Sequence, residues 1–124
     1  MSTPARAAVT TTTEEGPSCS AWRCEEDDGG VTALSAAGPG AHVAVHDDDA
    51  RVHLEFWVSD RVPRRVRGEL TRRVFEHPAL RARRSVVAAL PQGQSEVLQE
   101  LRSRVADART RVAGATCLLE GHVR

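Results

Sequence analysis

The sequence predicts an α+β fold: a mixed sheet of four to five strands, an antiparallel hairpin followed by β-α-β-α-β, with two helices packed on it. Three observations carry this. Ala41–His46 and Arg51–Val58 alternate apolar and polar residues around Asp47–Ala50. Two later stretches repeat apolar residues at helical spacing. Ser85–Leu90 and Val112–Leu119 are short, almost wholly apolar runs, as covered strands are.

In chain order, Met1–Ser18 reads as a disordered tail, because it has no apolar period and too little apolar surface to offset ordering. Residues 19–124 read as one α+β domain, a size consistent with a single core. Trp22 needs a packing partner near the start of that domain. Glu25–Gly30 reads as an acidic turn and Val31–Ser35 as a short strand, with Gly38-Pro39-Gly40 breaking the chain. In the hairpin, Val43, Val45, Val52, Leu54, Phe56 and Val58 share one face. His42, Ala44, His46, Arg51, His53, Glu55 and Trp57 share the other. Alignment of like faces pairs His46 with Arg51, Ala44 with His53 and His42 with Glu55.

Ser59 or Asp60 can cap the next helix, with Pro63 in its first turn. Val62, Val66, Leu70 and Val74 form its buried stripe, and His77-Pro78 ends it. Ser85–Leu90 is a central strand, and Pro91–Gln94 a turn. Ser95 caps a second helix, with Glu96 in its first turn, Arg102 and Arg104 in its last, and Glu100 and Arg104 as an i,i+4 pair. Its apolar face is Val97, Leu98, Leu101 and Val105. Val112–Leu119 is the final strand. Right-handed crossovers then make the last three strands parallel.

The charge is split along the chain. Residues 1–58 carry three Arg against ten acids, and residues 59–124 carry fourteen Arg against seven acids, within a net charge of zero. Either the halves meet each other or a basic surface meets an anionic partner. Every basic residue is Arg, and Tyr is absent, as codon bias in a GC-rich genome produces. Met1–Thr13 lacks the apolar core of about 7–15 residues that a signal peptide carries, and no run is long enough to span a bilayer. A cytoplasmic protein with reduced thiols at Cys19, Cys24 and Cys117, and no membrane partner, is the expectation.

Three constellations bear on function. The polar hairpin face brings His42, His53, Glu55 and Trp57 together as a ligand or interface surface. His42 and His46 lie about 13 Å apart along the strand and cannot share a metal. A His42, His53 and Glu55 group is the geometric alternative, but no metal site is assigned. A large aromatic beside Ala44 on an exposed face points to a subunit interface. Next, Arg61–Arg84 holds nine Arg against Asp60, Glu69 and Glu76, so its helix can track phosphates. No aromatic interleaves there to stack bases. Finally, two helix entrances can hold an anion: Arg64, Arg65, Arg67 and Gly68 at the first, Gly93 and Ser95 at the second.

The segment Val62-Pro63-Arg64-Arg65-Val66-Arg67-Gly68 follows a strand and opens a helix. With the hairpin before it and the strand after, it resembles the central part of the GNAT acetyltransferases. The resemblance spans about half the chain. It implies a helix whose N-terminal amides hold the pyrophosphate of acetyl-CoA. The family's Arg/Gln-x-x-Gly-x-Gly/Ala turn needs small residues where this chain has Arg67 and Glu69, and the family's two early helices have no counterpart. No Gly-x-Ser-x-Gly, Walker loop, His-Glu-x-x-His or Cys-x-x-Cys is present, and Asp47-Asp48-Asp49 lacks the EF-hand pattern. No catalytic residue and no cofactor is assigned from the residues themselves. The expected role is a small binding or assembly module of unidentified ligand, homodimeric through the Trp57 face. The alternatives are a reduced GNAT-like acyltransferase or acyl-CoA-binding domain, and nucleic-acid binding through the arginine-rich helix.

Overall fold

A computed structural model describes residues 21–124. The expected tail, Met1–Ser18, and Cys19 lie outside the described residues. Among the described residues, seven strands form one mixed sheet: β1 (Arg23–Asp27), β2 (Gly30–Ser35), β3 (Gly38–Asp47), β4 (Val52–Val58), β5 (Ser85–Pro91), β6 (Val105–Ala113) and β7 (Thr116–Val123). Helix α1 (Arg64–Val74) joins β4 to β5, and α2 (Ser95–Arg104) joins β5 to β6. The order across the sheet is β1-β2-β3-β4-β5-β7-β6, and among the described strands only β4 and β5 are parallel neighbours.

The α+β class stands, but the sheet of four to five strands is corrected to seven, and the three parallel strands to one parallel pair. The acidic stretch read as a turn is strand β1, whose Arg23–Asp27 pairs with Gly30–Leu34. Its polarity hid it, because an edge strand buries little. The turn itself is Asp28-Gly29, where Asp27 Oδ1 accepts the Gly29 N–H at 2.8 Å. The stretch read as one final strand is cut by Gly114-Ala115, with Ala113 opposite Thr116. Gly114 has φ of 63°, as a glycine opening a two-residue hairpin loop requires. The crossover rule still describes the direction of β6, which runs the same way as β5. The hairpin then folds β7 back between them, antiparallel to both.

The β3–β4 faces are as the alternation predicts, with Val43, Val45, Val52, Leu54, Phe56 and Val58 all buried. The register is shifted by two: His46 faces His53, Ala44 faces Glu55 and His42 faces Trp57. The cause is Asp48. Its Oδ1 accepts the Ala50 N–H at 2.8 Å and the Arg51 N–H at 3.2 Å, which draws Arg51 into the turn and lets Asp47 pair with Val52. A shift of two keeps every side chain on its face.

Both helices lie against the face carrying those valines. Val66, Leu70 and Val74 of α1, and Val97 and Leu101 of α2, are buried. Neither helix has a side-chain cap bond; Pro63 and Gln94 occupy the cap positions. Ser59 serves the preceding turn instead, its Oγ accepting the Arg61 N–H at 3.3 Å, and Ser95 is already helical. Helices this short depend on packing, and each fully buried Leu or Val contributes about 1.5–3 kcal/mol. Glu100 and Arg104 pair as expected, at 3.0 Å. Trp22 packs on the core beside Gly40, where a Cβ would come within 2.5 Å of the indole. Among the described residues, no helix is long and apolar enough to cross a membrane.

Candidate functional site

The parallel pair at the centre of the sheet comes apart. β4 and β5 pair from Val52–Val86 to Glu55–Ala89 and no further. Both continue, β4 through Phe56, Trp57 and Val58, β5 through Leu90 and Pro91. Where a parallel ladder opens, its backbone groups have to find partners outside the sheet. The opening leads into a cavity of about 510 Å³ lined by His42, Glu55, Trp57, Pro91 and Thr116, among others. Its volume lies in the small-molecule range, but it is a hollow open to solvent rather than an enclosed cavity. Beyond their carboxyl ends, β4 turns into α1 and β5 into α2, so both helix N-termini stand at the same end of the sheet.

The structure gathers most of the predicted anion-binding residues there. Arg64 Nε meets Glu96 Oε2 at 2.9 Å, and Arg67 Nη1 lies 3.9 Å from Glu96 Oε1. Arg67 also donates from Nε to the Val62 carbonyl at 2.9 Å and from Nη1 to Gln94 Oε1 at 3.4 Å. Its side chain is only 15% exposed, so it ties the two helix entrances together from within. Gly93 precedes α2 at φ of 90°, and Ser95 opens the helix. Arg65 lies in the first turn of α1. Gly68 lies further in, and a Cβ there would meet nothing within 4 Å. Arg61, before the helix, covers Trp22 at 5.7 Å and donates to the Pro39 carbonyl at 2.8 Å.

The polar hairpin face is intact but differently paired. His42 Nδ1 lies 2.7 Å from Thr32 Oγ1. His46 lies 3.7 Å from Glu55, and His53 lies 3.5 Å from Asp48. The two-residue shift therefore separates the His42, His53 and Glu55 group, and among the described residues no three metal-ligating side chains gather. Trp57 is 54% exposed on this face.

The charge halves meet each other in part. Arg73 reaches Glu26 at 3.1 Å, Arg84 reaches Asp47 at 3.0 Å, and His77 Nε2 lies 2.9 Å from the Asp28 carbonyl. On the outer side of α1, Glu69 bridges Arg72 and Arg73. Burial pushes the Glu69 carboxyl up, but its bonds to Arg73 and Arg72 outweigh that and hold it below its ordinary value. Burial pushes the Cys24 thiol up to about 11, so it stays protonated at neutral pH and is a poor nucleophile.

Sequence reasoning missed Glu96 and Gln94 as partners of the arginines, and Pro91 and Thr116 as lining residues. Thr116 was hidden by the unrecognised hairpin, for which Gly114-Ala115 was the available signal.

No family model matches the chain, and no curated protein is significantly similar to it. Among solved structures, the chain is similar to that of a "putative acetyltransferase" from Sphaerobacter thermophilus, with TM-score 0.49 and 13% identity over 94% of this chain and 78% of that one. At that score and identity it is a likeness only.

Proposed function

We propose that this chain is a binding module for an extended, anionic acyl-CoA-type ligand, held where β4 and β5 separate. The observation that carries the reading is the end of β4–β5 pairing at Glu55–Ala89, while both strands run on toward two helix N-termini. A pantetheine arm bears secondary amides and can answer backbone groups in such a gap. Helix N-termini favour phosphate at one end of it, and the cavity beside Trp57 accommodates the acyl end at the other. The resemblance of Val62–Gly68 to the GNAT entrance supports the same placement. Arg67 stands where that turn has a small residue and is tied inward to the Val62 carbonyl, so the exposed Arg64 is the side chain that offers charge to a phosphate at this entrance. Acyl transfer is the catalytic extension of this reading, with His42 and Glu55 the titratable side chains lining the cavity.

Titration calorimetry of the full chain with acetyl-CoA tests it. Binding in the micromolar range is expected, weakened at least tenfold by Ala89→Trp, which fills the opening from the cavity side. No heat at millimolar acetyl-CoA, or equal affinity in the filled variant, would contradict it.

A further inference from the structure

Both helices pack on one face of the sheet, and among the described residues nothing packs on the other. One row of residues crosses that bare face from edge to edge: Asp27, Gly30, Ala44, Glu55, Ala89, Leu118 and Arg111, each opposite the next. It is acidic at the β1 edge, basic at the β6 edge and mostly small or apolar between. Parallel to it runs Glu25, Thr32, His42 and Trp57, whose indole is 54% exposed. On the other side, Arg109 stands opposite Glu120. Arg109 and Arg111 make no ion pair with any described residue.

We propose that this face docks a second copy of the chain, face to face, about a two-fold axis parallel to the strands at β4. Such an axis lays the β1 edge of each copy over the β6 edge of the other. Asp27 then meets Arg111 of the second copy twice, once at each edge, and Trp57 is covered at the centre. An axis across the strands would stack β1 on β1 and β6 on β6, like charge on like. Sheets packed face to face lie about 10 Å apart, within reach of an arginine. Seven strands at about 4.8 Å spacing, each about 20 Å long, give a face of roughly 600 Å². That approaches the roughly 800 Å² each partner contributes to a standard stable interface. Glu55 lies near the axis, but it lines the cavity. The two carboxylates therefore look across a joined recess rather than touch. The inference does not depend on the ligand.

Sedimentation of the full chain without ligand, at tens of micromolar, is the test. A dimer is expected for wild type, and monomers for Trp57→Glu, Arg111→Glu and Asp27→Arg, each checked by circular dichroism for retained fold. An equimolar mixture of Arg111→Glu and Asp27→Arg should regain the dimer, because each variant's altered edge meets its opposite charge. A monomeric wild type overturns the proposal, and protection of Trp57 from radical footprinting in that monomer would assign the face to the chain's own residues 1–20. A dimer unaffected by the three substitutions, or a mixture that stays monomeric while its components are folded, also overturns it.

Discussion

Glu96 decides how much positive charge the candidate site presents. It is the carboxylate shared by Arg64 and Arg67, and it sits in the first turn of α2, where the helix dipole also favours it. A phosphate arriving at the helix entrances competes with it. Glu96→Gln keeps the shape and removes the competing charge. Affinity for coenzyme A is expected to rise about three- to tenfold, with the increase lost at high salt; an unchanged or weaker affinity would place the phosphates elsewhere. Gly68 offers a control on the same helix. It lies inside α1 with open space beyond its Cα, so it carries the cost of glycine in a helix without a packing reason. Gly68→Ala is expected to stabilise the fold by about 0.5–1 kcal/mol in thermal melts. A loss of stability would mean that the space is needed.

At the scale of elements, α1 is held by its inner stripe and trimmed by ion pairs on its outer side. The group of Glu69, Arg72, Arg73 and Glu26 links the helix to β1. Because the Glu69 carboxyl is held below its ordinary value of 4.5, its contribution is present above that value and lost as pH falls through the lowered one. Glu69→Gln is therefore expected to lower the melting temperature at pH 7 by a few degrees and by less at an acid pH below the lowered value. An equal loss at both would show that packing, not charge, is what the side chain supplies. The helices and the β3–β4 faces were legible because apolar spacing reports burial directly. Strand β1 was not, since its residues contribute charge rather than core. The β6–β7 hairpin was missed for a different reason. Polar β6, with Arg109 and Arg111 on the bare face, imitates a loop, and only its apolar end, Val112-Ala113, reads as strand, run together with Thr116–Leu119 of β7.

At the scale of the molecule, a seven-stranded sheet with helices on one face leaves two functional features in different directions. The β4–β5 opening looks toward the helix entrances at one end, and the bare face looks away from the core. The cavity beside Trp57 belongs to both. The sequence identified Trp57, His42 and the two helix entrances as places of interest. The opening that joins them was not legible, because where a ladder ends depends on the path of two strands rather than on any residue's chemistry. Hydrogen exchange of the full chain with and without acetyl-CoA tests that opening most directly. Added protection is expected in two windows, residues 56–66 and residues 90–97, with the β1–β2 edge unchanged. Saturating acetyl-CoA that protects neither window, or protects other segments instead, would contradict the account.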